Sequence, residues 1–109
     1  IGISTYADYD VAFHMELAVA SQNRLLIAVY TAIEPLMKQI VEHVVKSGGK
    51  VENDSGFHAA ILERIKARDP EGAQDKMKDH LTASERMFQD SIEPDTGLDQ
   101  VLLWTSQPV

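Results

Sequence analysis

Apolar residues recur along most of this chain at steps of three and four, the spacing that lines them up on one face of an α-helix. No segment keeps the alternating pattern of a strand, and no internal repeat is visible. The first periodic segment runs from about Thr5 to Ala20, with Asp10, Phe13, His14, Leu17 and then Ala20 or Ser21 along one face. Ser21, Gln22 and Asn23 form a weak break, after which the pattern restarts in a new phase. The second segment, Asn23 to about Lys46, directs Leu26, Ile33, Met37, Ile40 and Val44 toward a core. Pro35 lies inside it and should kink the helix rather than end it, because the pattern continues beyond.

Ser47, Gly48, Gly49 and Lys50 make the one clear loop, extended through Asn53. Glycines there suit a helix C-terminus and a turn. They do not suit a phosphate cradle, since no strand precedes them and no Lys-Ser/Thr pair follows. A third helix is expected from about Asp54 to Ala67, with His58, Ile61, Leu62 and Ile65 buried. Asp69, Pro70 and Glu71 then combine an N-cap carboxylate, a proline at the first helical position and an acid in the first turn. The fourth helix follows to about Asp90, burying Ala73, Met77, His80, Leu81, Ser84 and Phe88. The remainder, Glu93 to Val109, holds two prolines and the apolar patch Val101 to Trp104, expected to be a short docking helix or a segment that packs on another chain.

These elements predict an all-α fold, an antiparallel bundle of about four main helices plus a short C-terminal segment. Residues 1–92 form the domain and 93–109 the tail. A chain of 109 residues holds one modest core and not two. Composition agrees, at 44% hydrophobic and 25% charged, with helix formers dominant and aromatics at only 6%. The net charge of −7 argues against direct nucleic-acid binding, which needs a basic surface, and against adsorption to anionic membranes. The absence of cysteine excludes disulfides and thiolate metal sites. The longest apolar stretch, Leu25 to Ile33, is too short to span a bilayer, so a cytoplasmic setting is expected. The first residue is Ile rather than Met, as in a processed protein or a piece of a longer one.

Three of the four histidines fall on apolar helix faces. Any one such histidine is more often a satisfied core residue than a ligand, and His43, at the edge of the stripe between Glu42 and Val44, fits that bland reading. The other three form a pattern. Asp10 and His14 are four apart and so neighbours on one helical face. His58 and His80 are symmetric about Asp69, so an antiparallel hairpin brings both rings to the same height, about 15 Å from the turn at roughly 1.5 Å per residue. Asp10 and His14 precede the break at Ser21 and Gln22 by similar distances. A carboxylate on a buried face needs a partner, and no Arg or Lys of its own segment is spaced to supply one. One divalent transition metal ion would satisfy all four groups, and the donor set does not by itself select among Zn, Ni, Co, Mn and Fe. A buried His–Asp hydrogen-bond network without metal is the alternative.

The runs Asp10-Val11-Ala12-Phe13-His14, Ala20-Ser21-Gln22-Asn23 and His58-Ala59-Ala60-Ile61-Leu62, followed by Asp69 to Ala73, Met77 and His80-Leu81, resemble the FCD domain. This is the C-terminal effector-binding domain of FadR-type regulators in the GntR family, and the resemblance spans roughly Asp8 to Phe88. It implies an all-α antiparallel bundle that senses a small molecule. In the metal-binding branch of the family an Asp and three His hold the ion, which by motif position are Asp10, His14, His58 and His80. Asn23 matches a recurrent Asn near the effector cavity. The implied effector is a small organic acid whose carboxylate meets the metal, and the implied assembly is a homodimer whose paired DNA-binding domains are rearranged by that binding. The family's N-terminal winged helix-turn-helix and the opening helices of its FCD domain, which often supply an effector-binding Arg, are absent from this sequence. Removing helices exposes apolar surface, so a second copy or the folded-back tail is expected to cover it.

Transcription regulation through effector binding is therefore the leading reading, and it is not an enzymatic one. A metal-dependent hydrolase would also use open positions on such an ion. It needs a general base beside the metal, however, and no Glu or His is spare on the expected buried faces, Glu16 and Glu63 facing solvent by phase. A structural or oligomerisation module, with the histidines as packing residues, is the third reading.

Overall fold

The computed structural model describes residues 2–48 and 51–92, which form four α-helices and no strand. They are α1 (Ile3–Ala20), α2 (Arg24–Lys46), α3 (Val51–Lys66) and α4 (Pro70–Ser91). The expected all-α class is thus observed. The chain divides after Gly48 into two compact units, each a helical hairpin: α1 packs on α2, and α3 on α4. Among the described residues no helix is long and apolar enough to cross a membrane. The tail from Glu93, with its expected docking helix at Val101 to Trp104, lies outside the described residues.

Both hairpins turn by the same device. In the second, Arg68 takes the left-handed conformation at φ 56°. The amide of Arg68 then donates to the Ile65 carbonyl at 3.0 Å and that of Asp69 to the Arg64 carbonyl at 2.9 Å. This pair of bonds is a Schellman closure. Asp69 caps α4 by accepting from the Gly72 amide at 2.9 Å, and its other oxygen meets Arg64 Nη1 at 3.3 Å. In the first hairpin Gln22 is the left-handed residue, at φ 57°, and its amide donates to the Val19 carbonyl. Here the second closing bond is relayed by a hydroxyl. The Asn23 amide donates to Ser21 Oγ at 3.1 Å, and Ser21 Oγ donates to the Ala18 carbonyl at 2.6 Å.

α2 runs unbroken through Pro35, as expected. Proline has no amide, so the Thr31 carbonyl loses its usual donor. The loop after α2 is shorter than expected, since α3 begins at Val51 rather than about Asp54.

Burial follows the expected faces in part: Asp10, Ile61 and His80 are buried as expected, and other positions depart. Among the described residues the buried apolar side chains are Ala7, Val11, Ala18 and Ile61. Three of them are small or β-branched residues of α1, passed over because larger neighbours drew the stripe. On α2, Leu26 and Ile33 are exposed instead of buried, and Met37, Ile40 and Val44 are only half-buried. The inward face is Ile27, Tyr30, Glu34, Met37 and Val41, again at steps of three and four. Leu62, Ile65 and Leu81, assigned to the core, are also exposed, while Ala73, Met77, Ser84 and Phe88 are half-buried.

Candidate metal centre

Each hairpin carries one half of the expected donor set. In the first, Asp10 is 7% exposed on α1, with His14 one turn further on. His14 Nε2 lies 3.8 Å from Asp10 Oδ1, beyond hydrogen-bond range yet close enough for both to face a common cation. The His14 ring is held from two sides. Phe13 meets it edge-on at 5.5 Å between centroids, and Tyr30 of α2 lies at 6.3 Å and 38°.

Tyr30 also ties the two helices together, its hydroxyl donating to the Val11 carbonyl at 3.2 Å. Burial, and then the neighbouring Asp10 and Glu34 carboxylates, push its pKa up to about 12. Each cause disfavours the phenolate, so the hydroxyl stays a neutral donor beside the acidic pair. Outside this cluster, Lys38 of α2 binds Asp8 of α1 at 2.7 Å and lies 3.9 Å from Glu42. Its ammonium pKa is raised, chiefly by the hydrogen bond to Asp8.

In the second hairpin, His58 of α3 and His80 of α4 bring their Nε2 atoms to 3.2 Å, with the rings nearly perpendicular at 88°. His80 is 3% exposed and His58 half-buried. The Phe57 ring lies 5.5 Å from that of His80, and Ser84 Oγ is 3.4 Å from His80 Nδ1. The symmetry of residues 58 and 80 about Asp69 thus delivers the juxtaposition that counting predicts.

The 3.2 Å separation has a chemical meaning. Two N–H groups cannot face each other at that distance, so at least one Nε2 presents a bare lone pair. Two imidazole nitrogens on one ion at about 2.0–2.1 Å stand roughly 3.0–3.4 Å apart for ordinary coordination angles. The separation therefore matches that of two nitrogens on one ion, once the proton between them has left. Paired imidazole nitrogens suit a divalent transition metal.

Asn23 is the exposed N-cap of α2, its Oδ1 accepting from the amides of Leu25 at 3.0 Å and Leu26 at 3.1 Å. It lies nine positions after His14, of which the six to Ala20 are helix, about 9 Å at 1.5 Å per residue, before the turn. Its oxygen has a structural task, and its amide hydrogens remain available to a ligand. His43 lies half-buried near the end of α2. Glu16 and Glu63 are exposed, as expected.

Sequence reasoning missed Tyr30 and Glu34, which share the inward face of α2. Glu34 contradicts the expectation that no glutamate lies on a buried face, since it is half-buried and acts on Tyr30. The signal was available in the run 27, 30, 34, 37 and 41, but only two of those positions hold aliphatic residues.

The profile of one known family, the FCD domain, matches residues 3–83. No curated protein and no solved structure matches the chain.

Proposed function

This chain belongs to the FCD-domain family, and from that premise we propose that it is a metal-dependent sensing module for a small organic acid, of the kind that serves GntR-type transcription regulators. FCD domains are regulatory effector-binding modules rather than enzymes. The observation that carries the metal reading is the pair of imidazole Nε2 atoms at 3.2 Å, one of them on an almost wholly buried ring. His14 supplies a third nitrogen and Asp10 the one carboxylate, and the four are proposed to hold a single divalent ion.

The bound ion would supply open coordination positions for the carboxylate oxygens of the effector. The chain's own residues set the remaining conditions. Buried Asp10 contributes one negative charge, so the ion keeps a net positive field toward an anionic ligand. Tyr30 holds α1 in place and keeps its proton beside that charge. The amide hydrogens of Asn23 are proposed to meet the effector, leaving its oxygen to cap α2. Family membership also favours pairing with a second copy of the chain. The exposed Leu25, Leu26, Val29, Ile33 and Leu36 give α2 an apolar surface that such a homodimer would bury.

Calorimetric titration with a panel of hydroxy- and dicarboxylic acids tests the reading. Zn²⁺-loaded protein should bind one class of these acids with saturable heat, and EDTA-stripped protein should not. Equal binding to both forms would remove the metal from the sensing site. Hydrolysis by loaded protein that His58→Ala abolishes would replace the sensor by an enzyme.

A further inference from the structure

A metal-ligating imidazole needs one bare nitrogen for the ion and one protonated nitrogen pointing away, and the partner of the second nitrogen decides which is which. For His80 that partner is on its own helix. Ser84 lies one turn further along α4, half-buried, with its Oγ 3.4 Å from His80 Nδ1. The ring is 3% exposed, so bulk water competes poorly for that contact. The opposite nitrogen, Nε2, faces His58 Nε2 at 3.2 Å, where two protons cannot coexist.

We propose that Ser84 is a positioning residue for His80: its hydroxyl accepts Nδ1–H and thereby keeps the Nε2 lone pair bare on the side that faces His58. In the metal-free protein the contact between the rings is then an N–H of His58 donating to His80 Nε2. Of the two rings, His80 already presents a lone pair to a cation, and His58 is the one whose proton has to move. The alternative arrangement, Ser84 donating to Nδ1 with Nε2 protonated, would turn a proton toward the ion's place. The consequence for metal affinity rests on the sensing proposal above, whereas the tautomer is a property of the metal-free chain.

The test uses the full chain, ¹⁵N-labelled and stripped of metal, with imidazole tautomers read from long-range ¹H–¹⁵N correlation. His80 should be protonated at Nδ1 in the wild type. Ser84→Ala should shift it toward the Nε2-protonated form, which is preferred in free solution, and Ser84→Thr should restore the wild-type pattern. Because alanine favours a helix, Ser84→Ala should keep its helical content and melting temperature. Zn²⁺ titration of the same proteins should then show affinity about tenfold lower in Ser84→Ala, the usual scale for losing a ligand's outer partner, and recovered in Ser84→Thr. An Nε2-protonated His80 in the wild type, or a tautomer indifferent to Ser84→Ala, overturns the proposal. A tautomer that shifts while Zn²⁺ affinity stays constant overturns the positioning role. A wild type that takes up no Zn²⁺ but shows the expected shift sinks the sensing proposal instead and leaves the tautomer assignment standing.

Discussion

At the scale of single residues, Asn23 carries two separable roles on one side chain. Its Oδ1 satisfies the amides of Leu25 and Leu26, and its NH2 group is what an effector would meet. Asn23→Ala should cost about 1 kcal/mol of stability in urea denaturation, the ordinary loss for an N-cap. Asn23→Asp preserves the cap and deletes the NH2 donors. It should therefore unfold like the wild type and bind the organic acid more weakly; undiminished binding would confine Asn23 to capping. Tyr30 gives a pH dependence. Its folded pKa is raised from 10.0 to about 12, so above pH 10 the folded chain holds a proton that the unfolded chain releases. This part of the stability is complete below pH 10 and declines as pH climbs toward 12. Metal-free Tyr30→Phe should show a shallower loss of melting temperature across that interval, and parallel curves would assign the alkaline loss to other groups.

At the scale of elements, the two hairpin turns explain where sequence reasoning succeeded. Helix ends are set by short-range chemistry: an N-cap oxygen, a proline at N1, a hydroxyl near a last carbonyl. Asp69 and Pro70 carry that chemistry in plain view, so the second turn was legible and the register of His58 against His80 followed, whereas Ser21 to Asn23 read only as a weak break. The start of α3 at Val51 had no comparable signal. Asp69 also makes Gly72 informative. A β-carbon there would run into the Asp69 carboxylate and lie 2.9 Å from Arg64 Cδ. Gly72→Ala should therefore lower stability by about 1 kcal/mol, the value of the displaced cap, although alanine is the better helix former. A urea midpoint that rises instead would show that the carboxylate can move aside without loss. Arg68→Gly should act the other way, since glycine relieves the left-handed strain at φ 56°.

At the scale of the whole chain, apolar periodicity named the helices correctly, found most of the inward face of α1 and α4, and misplaced that of α2. α2 is apolar on two sides, so period alone could not choose between the face of Leu25, Val29, Ile33 and Leu36 and that of Ile27, Tyr30 and Met37. Packing against α1 chose the second, and Leu25 is left 72% exposed. If that surface pairs with a second copy, light scattering should give twice the chain mass for the wild type and the chain mass for Leu25→Lys/Leu36→Lys. The candidate donors stood out because ligand chemistry restricts such side chains to a few types at spacings a helix fixes. Ser84 beside His80, and Tyr30, whose ring lies against that of His14, were not recognised, because many hydroxyl and aromatic side chains stand near such groups without serving them. The central claim is that Asp10, His14, His58 and His80 hold one ion, and metal content tests it most directly. Elemental analysis of untagged protein should find about one equivalent of a transition metal, set by a single four-ligand site, and none in His58→Ala/His80→Ala. Metal-free wild type that stays empty after reconstitution would contradict the claim and leave the histidines as a buried hydrogen-bonded pair.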